Sequence, residues 1–257
     1  MGKIAVIAIT KHGIEIARKI KSRMQEWDIH VPEKFKDEKD DINWYSDPSP
    51  LAIGNLFKSY DGLVCIFSLG AVIRMVAPHL KDKKTDPAVV VIDDKAQFVI
   101  STLSGHLGGA NALARLIASI LNATPVITTA ADVNETIVVD LLGKEFGWAI
   151  DDDHNVTKVS ACIVNEEKIV IYQDAGERNW WFNDRPLPAN IQTLNDMNEL
   201  ATSDCKAALI ITDKLLDQKY EQLLDKAVVY RPKSLVVGVG LHWDTTKEEI
   251  VKGIQAT

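Results

Sequence analysis

Residues 97–121 read Gln97-Phe98-Val99-Ile100-Ser101-Thr102-Leu103-Ser104-Gly105-His106-Leu107-Gly108-Gly109-Ala110-Asn111 and on to Leu121, passing from a β-rich run through three glycines into a helical one. Ala110, Leu113, Ala114, Ile117 and Leu121 recur at helical spacing, so one face of residues 108–121 packs inward. A strand that turns directly into a helix is the unit of an α/β fold, and the flanking sequence repeats the pattern. Residues 88–92 and 97–102, separated by Asp93-Asp94-Lys95-Ala96, carry a hairpin signal. Residues 125–128 form a further strand. Asp132-Val133-Asn134-Glu135 resembles a capping box ahead of a helix bearing Val138, Leu141, Leu142 and Phe146. Upstream, residues 4–9 read as a strand and residues 13–24 as a helix with Ile16, Ile20 and Met24 on one face. Residues 32–49 read as loop, 51–60 as helix and 63–67 as strand; Gly70 opens a short helix over 71–77 that Pro78 ends. The expected fold is α/β: a mainly parallel sheet with helices on both faces, plus a second smaller α/β domain.

The second domain is suggested by a change of composition near Asp151-Asp152-Asp153-His154. Beyond it come paired strand signals at 158–164 and 168–173, the aromatic cluster Trp180-Trp181-Phe182, a helix near Met197 and a strand over 207–212. Residues 235–240 and 245–254 then form one strand and one helix. A lone βα unit cannot cover both faces of its strand, so it reads either as an addition to a neighbouring sheet or as the opening of a further domain, the second being the expectation. The expected division is 1–147, 148–232 and 233–257.

The 257 residues are 46% hydrophobic and 25% charged, ordinary for a globular chain able to bury a sizeable core. No stretch approaches the roughly 18 apolar residues of a membrane span. The apolar start, Ile4-Ala5-Val6-Ile7, is cut short by Thr10-Lys11-His12 with no small-residue cleavage site, so it reads as a first strand rather than a signal peptide, and a cytoplasmic location is expected. Cys65, Cys162 and Cys205 are odd in number and widely spaced, which fits neither a disulfide framework nor a metal pair, and Cys65 reads as a buried thiol. A net charge of −7 argues against nucleic acid or an anionic membrane as partner, while leaving room for a local basic pocket. Gly238-Val239-Gly240 suggests a dinucleotide turn, but Trp243 stands where its third glycine is needed. There is no phosphate-loop or zinc-helix motif, and Ser68-Leu69-Gly70 carries only half of a nucleophile elbow, since position 66 is Ile.

Two turns carry chemistry. At Ser104–Asn111, glycines let a ligand approach the backbone, and the first amides of the following helix suit carboxylate or phosphate. Ser104 and Asn111 add hydrogen-bonding side chains, and His106 can move protons near neutral pH. The same residues also read as a capped, glycine-packed turn with no ligand. A second turn, Ser68-Leu69-Gly70-Ala71-Val72-Ile73-Arg74, is followed by Lys81-Asp82-Lys83-Lys84-Thr85-Asp86-Pro87. Both turns are expected outside the carboxyl ends of parallel strands, where open α/β sheets bind ligands. Arg74 and Lys83 read either as ligand cations or as solvated charges; Lys81 and Lys84 fit the second reading better.

The runs Gly70–Arg74, Asp82–Val91, Phe98–Ser101, Ser104–Asn111 and Pro125–Val133 together resemble the CbiG family of cobalamin biosynthesis, most specifically over residues 60–140 and more loosely at Thr10-Lys11-His12-Gly13. The resemblance implies a cobalt-precorrin-5A hydrolase, which opens the δ-lactone of its substrate and releases acetaldehyde to give cobalt-precorrin-5B. It also implies amino-terminal, middle and carboxyl-terminal regions. One departure is visible: the family commonly has Cys-Arg after the Gly-x-Gly at 238–240, where this chain has Leu241-His242-Trp243.

A corrinoid acid carries several carboxylate arms, and Gly70, Arg74, Lys83, Asp86, Gly105, Gly108, Gly109, Asn111, Thr128, Thr129 and Asp132 are the residues expected to bind it. Opening a lactone needs an activated water and a stabilised oxyanion. The expected general base is His106, with Ser104 and the amides after it holding the oxyanion or a nearby carboxylate. Asp132 or Asp86 would orient a partner, although Asp132 also reads as a helix cap. No cofactor or protein metal site is expected, because cobalt arrives with the substrate; axial contact of His106 with that cobalt is a lesser alternative. A different class is a protein that binds and presents the corrinoid without turnover. A nucleotide-binding protein is disfavoured by the missing fingerprints. The sequence does not indicate an oligomeric state.

Overall fold

A computed structural model describes residues 2–36, 41–181 and 186–233, with Thr246 and Glu249. The readings of 235–240 and of most of 245–254, like Phe182, lie outside the described residues. The first sheet begins with β1 (Ile4–Ala8), whose five residues are all buried. A strand covered on both faces reads as an unbroken apolar run, which is why it is plain in the sequence. Thr10 caps α1 (Lys11–Lys21) by accepting from Gly13 N at 3.0 Å, and Ile14, Ala17 and Ile20 pack inward. The strands β2 (Asp28–Pro32) and β3 (Asn43–Tyr45) follow, then α2 (Ser49–Ser59), β4 (Gly62–Ile66) and α3 (Leu69–Val76). The hairpin β5 (Ala88–Ile92) and β6 (Phe98–Leu103) comes next, closed by Asp93, whose carboxylate accepts from Lys95 N and Phe98 N. Then α4 (Ala110–Leu121), β7 (Thr124–Val126) and α5 (Ala130–Val133) complete this part.

The seven strands are ordered β3-β2-β1-β4-β5-β6-β7, and every pair is parallel except β5 with β6. The residues of α1 and α4 pack on one face of the sheet and those of α2 and α3 on the other. The expected architecture is therefore present. Two details differ. Residues 32–49, read as loop, contain the end of β2 and all of β3. β3 is a three-residue edge strand, and in β2 beside it polar residues and Pro32 mask the alternation of Ile29 and Val31. The helix expected from Val138 to Phe146 does not form. Gly143 and Gly147, at φ +70° and +75°, reduce it to turns and one 3₁₀ turn at Lys144–Phe146.

The second sheet takes up β8 (Ala149–Ile150), α6 (Val156–Val164), β9 (Ile169–Gln173), β10 (Ile191–Leu194), α7 (Met197–Thr202), β11 (Ala207–Ile211), α8 (Glu221–Leu224) and β12 (Ala227–Arg231). Its order is β10-β9-β11-β12-β8, parallel except for the edge strand β8. Residues 158–164 are helix rather than strand: Val159 and Ile163 lie four apart and both are buried, so helical packing overrides β-branched propensity. Trp180 anchors the core of this sheet with its Nε1 donating to Gln173 Oε1 at 2.8 Å. The two sheets meet where α5 packs on α6 and where Lys84 pairs with Asp153; the connection between them is tied to the second core, with the buried Tyr230 hydroxyl donating to Val139 O at 2.8 Å.

The antiparallel hairpin has a large consequence for the site. Val89 is paired with Leu103 and Ile92 with Val99, so β6 runs back towards the amino ends of β4 and β5. Ser104 leaves the sheet at that end, whereas Ser68 leaves it beyond Ile66 and Ile92, at the other. A five-residue strand puts the sheet's ends about 15 Å apart, with its core between them. The two turns expected to share a cleft do not share one.

Candidate active site

The Ser104–Asn111 turn lies outside the carboxyl ends of β6 and β7, the parallel pair that α4 joins. Its shape is imposed by backbone contacts. Ser104 stands at φ +55°, rare for a residue with a side chain, and is held there by its hydroxyl donating to Asp86 O at 2.9 Å and by its carbonyl accepting from Ala110 N at 3.1 Å. A Cβ at Gly108 would fall 2.4 Å from Ser104 Cβ and 2.8 Å from Ser104 O, so no other residue fits there without moving the turn. Gly109, immediately before α4, is at φ +86° with open space around it. Gly109→Ala therefore isolates backbone strain from steric clash and is expected to cost about 1 kcal/mol. A urea midpoint equal to the wild type's would show that the left-handed geometry is not required.

Around this turn a polar network is centred on Asp132. Its Oδ2 accepts from Asn111 Nδ2 and Thr129 Oγ1, each at 2.8 Å, and lies 2.9 Å from His106 Nε2. Its Oδ1 accepts from Arg115 Nη2 at 3.1 Å and Nη1 at 3.3 Å. Asn111 is buried: its Nδ2 also donates to Thr129 Oγ1 at 2.8 Å and its Oδ1 accepts from Ser101 Oγ at 2.6 Å. On the other side of the imidazole, Asp140 Oδ1 lies 3.4 Å from His106 Nδ1. The ring thus sits between two carboxylates.

This raises the His106 pKa above its usual value. The main cause is Asp140, opposed by partial burial and assisted by Asp132. A group whose folded pKa is raised stabilises the fold fully below its unfolded pKa, near 6.5, and that contribution disappears as pH rises through the folded value. The stability gap between wild type and His106→Ala is therefore expected to be widest below about pH 6.5 and to shrink as pH rises above that value. A gap that widens with pH would contradict the charged imidazole.

Asp140 also lines a cavity of about 450 Å³ between the two sheets, with Lys83, Lys84, Leu107 and residues 150–153. The acids there are mostly paired: Asp151 accepts from Arg231 at 2.7 Å, Asp153 pairs with Lys84, and Asp152 accepts from His154 N. Lys83 has no acidic partner among the described residues. The amides of His106, Leu107 and Gly108 likewise have no acceptor among the described residues.

The structure sorts the expected residues into groups. His106, Asn111, Thr129 and Asp132 come together, with Ser104, Gly105, Gly108 and Gly109 shaping the turn. Lys83 lies at the same end of the sheet and faces the cavity. Asp86 is there too, but it orients no catalytic group: its carboxylate accepts from Lys81 N and its carbonyl from Ser104. The Ser104 hydroxyl hydrogen is thereby committed away from any oxyanion. Asp132 is not a helix cap, because α5 starts at Ala130 and the carboxylate turns to His106. Thr128 is exposed beside the network without joining it. Gly70 and Arg74 line a separate cavity of about 700 Å³ with Pro50, Leu51 and Met75 at the opposite end. Cys65 is buried, which pushes its thiol up to about 12, as an inert thiol requires.

Three contributors were not legible as site residues. Arg115 lies four residues after Asn111, so the helix period puts it on the same side. Ser101 is two residues from Val99 and Leu103 along β6. Asp140 is a lone acid inside Val138-Val139-Asp140-Leu141-Leu142, and that isolation is its signal.

The chain is similar to known proteins along its length. Residues 52–132 match the family described as Cobalamin synthesis G N-terminal, and residues 137–232 match Cobalamin biosynthesis central region. Cobalt-precorrin-5A hydrolase of Priestia megaterium is 49% identical over 259 residues, covering 100% of this chain and 69% of that protein. The enzyme of the same name from Salmonella typhimurium is 36% identical over 173 residues, 67% of this chain and 48% of its own length. A crystal structure of a cobalamin biosynthesis protein G homolog from Sulfolobus solfataricus aligns over 99% of this chain and 68% of its own at a TM-score of 0.48 and 27% identity. With two adjoining family regions in order and near-half identity along its whole length to a curated relative, the chain belongs to the CbiG family.

Proposed function

We propose that this chain hydrolyses the lactone of cobalt-precorrin-5A, with release of acetaldehyde to give cobalt-precorrin-5B, and that the chemistry takes place at His106. The observation that carries the reading is an imidazole held between two carboxylates beside a cavity that also presents Lys83. His106 is the acid–base residue, and Asp132, itself fixed by Arg115, Asn111 and Thr129, orients its ring. The amides of His106, Leu107 and Gly108 supply fixed donors for an oxyanion or a carboxylate arm. Lys83 offers a cation to another arm. Cobalt belongs to the substrate in this reading, and the protein supplies orientation and proton transfer. Among the described residues no helix is long and apolar enough to cross a membrane.

Cobalt-precorrin-5A incubated with the purified chain is expected to yield acetaldehyde stoichiometrically with substrate loss. Binding of the corrinoid with no acetaldehyde would support the carrier reading instead.

A further inference from the structure

Resting on that reading of the reaction, we propose that Asp140 and His106 divide the proton transfers of lactone opening. Asp140 takes a proton from the attacking water, and the His106 imidazolium gives one to the departing ring oxygen.

The two carboxylates that flank His106 are not equivalent. Asp132 receives five hydrogen bonds, spread over both oxygens, from His106, Asn111, Thr129 and Arg115. Its acceptor sites are filled by protein donors and its charge is offset, so it has nothing to offer a water. Its role is to hold the ring by Nε2. Asp140 has no donor other than His106 among the described residues, and it lines the cavity. Its contact with Nδ1, at 3.4 Å, is half an ångström longer than the Asp132 contact at 2.9 Å. A group entering the cavity meets the Asp140 carboxylate, which has His106 Nδ1 3.4 Å from its Oδ1, while Nε2 stays anchored on Asp132.

The charges around the pair agree. Asp132 faces the ring from α5, with Arg115 of α4 behind it. Asp140 faces it from the connection to the second sheet, with the buried Tyr230 nearby. Across the cavity lie Lys83, Lys84 paired with Asp153, Asp151 paired with Arg231, and Asp152. One uncompensated carboxylate is thus left next to the imidazole. The contact with Asp140 raises the His106 pKa above its usual value, which favours the doubly protonated ring. A protonated imidazole donates a proton rather than accepting one, and the carboxylate beside it that also lines the cavity is Asp140.

The step balances without a further reagent. Water oxygen bonds to the lactone carbonyl carbon as its proton passes to Asp140. The acyl carbon–oxygen bond breaks as the Nδ1 proton passes to the departing oxygen, leaving an acid and an alcohol. Transfer of the proton from Asp140 to Nδ1 across their contact restores the starting state.

The test combines pH profiles of acetaldehyde release with NMR titration of His106. Wild type is expected to show a low-pH limb, as Asp140 must be ionised, and a high-pH limb, as His106 must be protonated. Asp140→Asn is expected to lower kcat about 10²- to 10³-fold with little change in KM, to lose the low-pH limb, and to lower the His106 pKa. Asp132→Asn is expected to lower kcat while keeping the low-pH limb. Wild-type turnover with Asp140→Asn within about threefold of it would overturn the assignment, as would a wild-type profile without a low-pH limb. The second measurement needs no variant, so a misfolded Asp140→Asn does not block the test. Absence of acetaldehyde from wild type would instead overturn the hydrolase reading itself.

Discussion

His106→Ala is expected to reduce acetaldehyde release from cobalt-precorrin-5A by about 10³-fold, within the range general acid–base groups contribute. Both ring nitrogens face carboxylates, so the substitution removes the proton donor and leaves Asp132 and Asp140 without the group they share. Single-turnover measurement at saturating substrate checks it, because the loss belongs to the chemical step rather than to binding. The loop should keep its shape: it is set by Ser104, Gly108 and the hydrogen bonds that the Ala110 and Asn111 amides donate to Ser104 O and Gly105 O, none of which uses the imidazole. An alanine variant with wild-type turnover would remove His106 from the chemistry.

Asn111→Leu is expected to have the largest effect on stability, about 3 kcal/mol, because it removes one node from three buried or half-buried partners. Leucine is close in volume, so little of the cost comes from a cavity. The loss comes from stranding the Ser101 hydroxyl and weakening the support of Asp132. For a chain of this size that is about 6–12 °C in Tm. A loss below about 1 kcal/mol in urea titration would mean that water replaces the amide without penalty, and that Asn111 does not organise the site. Activity should fall with stability, since Asp132 would no longer be fixed from both sides.

The fold was legible where burial dictates composition. Ile4–Ala8, Gly62–Ile66 and Ala88–Ile92 are each buried throughout, and their unbroken apolar runs mark them as central parallel strands. The amphipathic face of α4 was equally plain. What failed were local preferences overruled by tertiary context: valines and isoleucine in α6, and glycines that break the stretch before Trp148. The site was half legible. His106 and its glycines stand out by residue type, and Asp132 was marked both as a residue that orients a partner and as a helix cap; the first reading is the one the His106 contact matches. Asp140 is set among apolar neighbours, and only the meeting of the two sheets brings it to His106. The error over Gly70 and Arg74 has one source. An antiparallel hairpin reverses strand polarity, so a turn after β6 leaves the sheet at the opposite end from a turn after β4.

That reversal separates two cavities, and the central claim is that the reaction belongs to the one beside His106. The most direct test is a structure of the His106→Ala chain with cobalt-precorrin-5A bound. The lactone carbonyl is expected within hydrogen-bond reach of the amides of residues 106–108, with Asp140 on the side from which water attacks. A macrocycle seated instead against Gly70 and Arg74, at the other end of the sheet, would contradict the account.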